Sequence, residues 1–173
     1  MKTNTKKIIK LLTLFISSIL IATASAGYYR FMYISGTVTI SAGGLVWIKG
    51  DQAGSAVSIS GSTATVSLTL NNGTISNITN YLYLKNLDSQ SHNLVINITD
   101  PANSSLYEAN GFNITICNNS TGAVIYSLDA LSLGSSYSGT IDQQEVWHIT
   151  FQIATRSDAQ TSGDVFAVQV TYV

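Results

Sequence analysis

Charge is the scarcest commodity in this chain. Only 10% of its residues are Asp, Glu, Lys or Arg, against about 25% in ordinary soluble proteins. No basic surplus exists to neutralise phosphates, which excludes a nucleic-acid binder. Proline occurs once, and with scattered glycines this excludes collagen-like and Pro-rich linker architectures. Cysteine also occurs once, at Cys117, so no internal disulfide can form and stability must come from packing and hydrogen bonds. Cys117 itself is expected to be a small buried apolar residue. No apolar run is long enough for a multi-span membrane protein. Disorder is excluded by what is present: 45% of the chain is hydrophobic, with 9 Tyr, 5 Phe and 2 Trp. The missing charge is replaced by 23 Ser, 19 Thr and 13 Asn among 173 residues.

The first 26 residues read as a secretory signal peptide. Lys2, Lys6, Lys7 and Lys10 form a basic start, Leu11 to Thr23 an apolar stretch, and Ala24-Ser25-Ala26 places small residues at the −3 and −1 positions of a cut. The expected location is therefore extracellular, at the cell surface. A bacterial lipoprotein does not fit, because Cys117 is far from the cut. After cleavage the basic residues are Arg30, Lys49, Lys85 and Arg156 against nine acids, a net charge of −5. The remainder, about 147 residues, is large enough for one core without disulfides.

Period-2 alternation of β-branched and aromatic residues runs through the mature chain. Val66, Leu68 and Leu70 alternate with Thr65, Ser67 and Thr69; Leu94, Ile96 and Ile98 with Asn93, Asn97 and Thr99. Phe112, Ile114 and Ile116 alternate with Asn113 and Thr115; Trp147, Ile149, Phe151 and Ile153 with His148, Thr150 and Gln152. The chain ends on Phe166, Val168, Val170 and Tyr172. Further strands are expected at Tyr28–Ile34, Thr37–Ser41, Leu45–Lys49, Val57–Ser60, Tyr81–Asn86 and Ala123–Ser127. Asn71-Asn72-Gly73, Gly43-Gly44 and Gly134-Ser135-Ser136 read as turns. The fold class is all-β: a single antiparallel β-sandwich of about ten strands, jelly-roll or Ig-like. Its parts would be 1–26 as signal, 27–36 as an N-terminal strand and 37–173 as the sandwich.

Asn-x-Ser/Thr occurs at Asn72, Asn77, Asn97, Asn103, Asn113, Asn118 and Asn119. Chance at this composition supplies about three. In Asn77-Ile78-Thr79, Asn97-Ile98-Thr99 and Asn113-Ile114-Thr115 the strand period turns Asn and Thr outward and Ile inward. N-linked glycans on such positions would stand in solvent. Asn118 and Asn119 overlap and are not expected to be occupied together.

Site chemistry is thin. The histidines are His92, in a turn, and His148, expected on a strand surface. No G-x-S-x-G, HExxH or CxxC occurs. A copper site would need Cys117 and two histidines close in sequence, and the next histidine comes 31 residues later. No DxDxDG-like calcium loop exists. No catalytic residue, metal or cofactor is therefore expected. A Lys–Asn isopeptide bond at Lys49 or Lys85 would require a buried acid beside the lysine.

Directly after the cut comes Gly27-Tyr28-Tyr29-Arg30-Phe31-Met32-Tyr33-Ile34, in which Tyr28, Tyr29, Phe31, Tyr33 and Ile34 are aromatic or β-branched. A terminal strand of this kind pairs with its own sheet or with an open edge of the next copy. The second arrangement is head-to-tail and builds a filament. Ser35-Gly36-Thr37-Val38-Thr39-Ile40 follows, then Leu82-Tyr83-Leu84-Lys85-Asn86-Leu87-Asp88-Ser89-Gln90-Ser91-His92-Asn93-Leu94-Val95-Ile96, and a closing strand Phe166 to Val173. This layout resembles the TasA/camelysin-type secreted fibre proteins and their archaeal relatives that form bundling pili or threads. The chain is shorter than the bacterial members and lacks their long charged insertions. The resemblance implies a small β-sandwich that polymerises by donor-strand complementation, with Tyr28, Tyr29, Phe31, Tyr33 and Ile34 in the donor strand and no catalytic residues.

The expected function is a non-enzymatic subunit of a head-to-tail homopolymeric filament used in adhesion or biofilm formation, bearing N-linked glycans and touching other cells or surfaces. The rival expectation is a monomeric cell-surface adhesin or carbohydrate-binding module. It would show an exposed aromatic cluster drawn from Tyr81, Tyr83, Tyr107 and Tyr137. An extracellular hydrolase has only generic support.

Overall fold

The computed structural model describes residues 31–40, 44–159 and 163–172. The signal segment 1–26, and with it Tyr28 and Tyr29, lies outside the described residues. Eleven strands follow one another: β1 Phe31–Ile40, β2 Leu45–Lys49, β3 Val57–Ser60, β4 Thr63–Asn71, β5 Ile75–Asn86, β6 His92–Asp100, β7 Tyr107–Asn118, β8 Val124–Asp129, β9 Ser136–Ile141, β10 Val146–Thr155 and β11 Gly163–Tyr172. A short 3₁₀ turn, Ser104–Leu106, precedes β7.

The strands form a six-stranded sheet ordered β3-β4-β1-β11-β6-β9 and a five-stranded sheet ordered β2-β5-β10-β7-β8. They face each other as a β-sandwich, in agreement with the alternating sequence pattern. The alternation works as expected: Leu94, Ile96 and Ile98 are buried while Asn93 and Thr99 are exposed. The core contains Phe112, Phe151 and Phe166 in contact, with ring centroids 5.1 Å apart for Phe112–Phe166 and 6.3 Å for Phe151–Phe166. Trp147, Met32 and Leu82 are also fully enclosed.

Three features depart from the sequence reading. The described parts of the expected strands Tyr28–Ile34 and Thr37–Ser41 belong to one strand, because Ser35-Gly36 does not break β1; the expected boundary between residues 36 and 37 falls in the middle of it. The pairing is not antiparallel throughout: β1 runs parallel to β11, from Tyr33 opposite Gly163 to Ile40 opposite Val170. Finally, β9 forms from Ser136-Tyr137-Ser138-Gly139-Thr140-Ile141, where Gly134-Ser135-Ser136 had suggested only a turn. An edge strand needs few apolar side chains, and here Tyr137 and Ile141 suffice.

Two buried polar side chains tie the loops to this frame. Asn86 is fully buried; its Nδ2 donates to the carbonyls of Gln90, Ile141 and Asp142, and its Oδ1 accepts from the Asp88 amide. Asp164 accepts from the Tyr107 hydroxyl at 2.6 Å and from the amides of Asn103 and Val165. Both follow the rule that buried polar groups are satisfied.

Candidate functional site

β1 occupies an interior position in its sheet. β1 lies inside the six-stranded sheet, antiparallel to β4 on one side and parallel to β11 on the other. Among the described residues no other strand bridges β4 and β11, so β1 is the seam that joins β3-β4 to β11-β6-β9. Its inward side chains Met32, Ile34, Val38 and Ile40 are all buried. Tyr33 faces out and is 57% exposed, beside Thr69 of β4. Of the expected donor residues, Phe31 is placed at the start of β1 opposite Asn71, Tyr33 on the outer face and Ile34 in the core.

Gly36 sits on the inward face of β1, opposite Phe166. A Cβ added there would lie 2.0 Å from Phe166 Cζ. The ring of Phe166 therefore enters the space that the missing side chain leaves. This fixes the register of β1: a shift of two residues would set Ile34 or Val38 against the ring, and a shift of one would turn every side chain over. The Ser35-Gly36-Thr37 triplet carries this signal in the sequence, but its meaning depends on Phe166, far away in the chain.

The flank beside this seam is open. β3 covers β4 only from Thr63 to Val66, and β2 covers β5 only from Leu82 to Asn86. Between the uncovered parts lies a groove of about 450 Å³ lined by Leu68, Leu70, Ile78, Tyr81 and neighbouring serines. A bulge in β5, with Asn80 at φ +59°, shifts the register between Ile78 and Leu82 and sets Tyr81 beside the groove. A second cleft of about 430 Å³ is polar and lined by Asn118, Asn119, Asp142, Gln144 and Glu145.

The aromatic residues do not gather as the adhesin reading expects. Tyr107 is buried, not exposed, and its hydroxyl is spent on Asp164. Burial, then the bond to and charge of Asp164, push its pKa well above the ordinary tyrosine value. Tyr83 is half-buried, bonded to Asn80 Oδ1 and edge-on to His148. Tyr137 stacks on Tyr126 at 5.0 Å and meets Trp147 edge-on, closing the sandwich where β8 and β9 meet. Tyr126, 40% exposed, was not singled out by the sequence, where it sits among alternating residues without a distinguishing pattern.

His148 is half-buried on the outer face of β10, in register with Cys117 of β7. His92 bonds Asp88 through Nε2 at 2.7 Å. Among the described residues, no group of three or more His, Cys, Asp or Glu is placed to hold a metal. Cys117 is buried, and burial raises its thiol pKa. Lys49 is exposed, and Lys85 is half-buried and in register with Val146 of β10. The sequons are spread over both sheets and the loops: Asn77, Asn103 and Asn119 are exposed, and Asn72, Asn97, Asn113 and Asn118 are half-buried.

No protein-family model matches the sequence, and no curated protein does. Among solved structures, a family 123 glycoside hydrolase from Clostridium perfringens aligns over 59% of this chain and 21% of its own, at 11% identity and a TM-score of 0.31. The N-terminal domain of PorA aligns over 73% of this chain and 96% of its own, at 10% identity and a TM-score of 0.30. The chain thus spans about a fifth of the hydrolase's length, and both likenesses are too distant to carry a functional argument.

Proposed function

We propose that this chain is a non-enzymatic structural subunit of an extracellular homopolymeric filament, in which the N-terminal strand of one copy completes the sheet of the next. The observation that carries this reading is the place of β1. Among the described residues, β1 is wedged between β4 and β11 and is the only link between two halves of its sheet. A second copy's β1 has the same sequence, so it would meet the same slot with the same Gly36–Phe166 register. The signal-like N-terminus and the charge-poor composition suit an exported protein whose partner is itself.

A paired-cysteine variant tests it. Tyr33 and Thr69 face each other on the outer surface of the β1–β4 ladder, where opposite Cα atoms lie about 4.5–5.5 Å apart, within disulfide reach. In Tyr33→Cys/Thr69→Cys, strand exchange gives a ladder of cross-linked multimers on a denaturing gel. An exclusively intrachain disulfide in protein taken from the cell surface defeats the proposal. Deletion of residues 27–34 should likewise leave unpolymerised protein, and filaments persisting without them would count against it.

A second reading, a monomeric sugar-binding module, draws on the stacked Tyr126–Tyr137 pair at the β8–β9 margin. A protein that stays monomeric and loses glycan binding on Tyr126→Ala would favour it.

A further inference from the structure

The seven sequons share one spacing in sequence, and the folded chain sets their side chains in different surroundings. What differs is the amide nitrogen, because Nδ2 is the atom that carries a glycan. We infer that Asn77, Asn103 and Asn119 are the glycan acceptors of this protein, and that Asn72 and Asn118 are held back because their side-chain nitrogens are bonded to Ala159 and Glu145. The inference rests on the proposed export of the chain.

Asn77 is exposed on the outer face of β5, opposite Gln152. No hydrogen bond engages its side chain among the described residues. Asn119 is exposed in the β7–β8 turn; its backbone amide bonds the Val146 carbonyl, which fixes the turn and leaves the side chain outward. Asn103 caps the 3₁₀ turn: its Oδ1 accepts from the Ser105 amide at 3.1 Å and from the Ser105 hydroxyl at 2.8 Å. The carbonyl oxygen does this work, so the nitrogen stays available. The hydroxyl of the sequon's third residue is already on the Asn amide.

Asn118 has the same turn, with Ser120 donating to Oδ1 through its amide at 2.9 Å and its hydroxyl at 2.6 Å. Its nitrogen is occupied, however, by Glu145 Oε1 at 2.6 Å in the polar cleft. Asn72 Nδ2 donates to the Ala159 carbonyl at 2.6 Å, and its Oδ1 is buried without a partner. Asn97 is half-buried on β6 between Gln169 and Ser136, again with Oδ1 buried and unpartnered. Asn113 Nδ2 is bonded to the Asn110 carbonyl at 2.8 Å at the surface.

The co-reactant is a glycan linked through phosphate to a membrane lipid. Nδ2 attacks the sugar C1, an N–C1 bond forms, the C1–O bond to phosphate breaks, the lipid phosphate leaves and the Nδ2 proton passes to a base of the transferase. At Asn72 and Asn118 this requires the amide to leave its partner, or a sugar to fit beside a part-buried bond. Asn77 lies on the five-stranded sheet, and Asn103 and Asn119 lie in loops.

Glycopeptide mass spectrometry on the protein recovered from the cell surface, after chymotryptic digestion, reads the outcome. Occupancy at Asn77, Asn103 and Asn119 should exceed that at Asn72 and Asn118 by about tenfold or more, the factor associated with losing a hydrogen bond to a buried or charged partner. In Glu145→Ala, glycan should shift toward Asn118 at the expense of Asn119. Equal or higher occupancy at Asn72 or Asn118 overturns the inference. Absence of glycan at every sequon overturns it too, while the Tyr33/Thr69 cross-link separately reads whether the filament proposal stands.

Discussion

Gly36 and Phe166 are two halves of one packing feature. The ring of Phe166 reaches where a Cβ on residue 36 would be, and Phe112 and Phe151 hold that ring from behind. The neighbour that would have to give way is thus an enclosed aromatic, not the free end of a flexible side chain.

Gly36→Ala should therefore destabilise the fold by about 1–3 kcal/mol, as over-packing does in dense cores. Phe166→Leu should cost a similar amount by leaving a void. The double variant Gly36→Ala/Phe166→Leu should cost less than the sum, because the smaller side chain makes room for the methyl group. Chemical denaturation of the four proteins measures the coupling; strict additivity would show that the pair does not set the register.

Tyr107 gives the fold an alkaline limit. Its folded-state pKa is raised above the unfolded value of about 10, by burial first and then by Asp164. The protein therefore has the full contribution of the neutral phenol below about pH 10 and loses it as pH rises further, at about 1.36 kcal/mol per unit for one group. Tyr137, raised by burial and Glu145, adds in the same direction. Thermal unfolding between pH 8 and 11 should show this slope in the parent protein and a shallower one in Tyr107→Phe. The same variant should be less stable at pH 7, because Asp164 loses its hydroxyl donor.

Asn86 holds three carbonyls with one nitrogen, those of Gln90, Ile141 and Asp142. Asn86→Ala should cost about 3 kcal/mol, through unsatisfied buried groups. Asn86→Asp should cost more, since a carboxylate offers those carbonyls no donor. Denaturation midpoints check the order.

Cys117 should be silent to thiol chemistry in the native state. It is buried with a raised pKa, so little thiolate exists to react. A thiol-specific reagent should label it only in denaturant, and reducing agents should leave the melting temperature unchanged. Rapid labelling of folded protein would contradict the placement of β7.

Much of this fold could be read from the sequence because sheet alternation is local. Leu45–Lys49 and Val57–Ser60 were delimited as they stand, and Ile78, Ile98 and Ile114 turn inward between more polar neighbours. What could not be read depends on partners distant in sequence. Ser35-Gly36 resembles a break until Phe166 is set against it. Tyr107 resembles a surface aromatic until Asp164 takes its hydroxyl. Pairing β1 with β11 in parallel is a tertiary choice with no local signature. The sequons showed the same limit: spacing marks seven, and only hydrogen-bond partners separate them.

The pairing of the first strand with the last has a consequence for biogenesis. A chain threaded through a membrane from its N-terminus delivers β1 long before β11 exists to receive it. The ladder to β4 can form early, but the other half of the slot waits for the final residues, and contacts of such long sequence separation form slowly. During that interval the apolar side of β1 stays available to a neighbour whose own β11 has already emerged. If the chain is exported and polymerises as proposed, order of synthesis gives a growing chain the opportunity to join a finished one before it can close on itself.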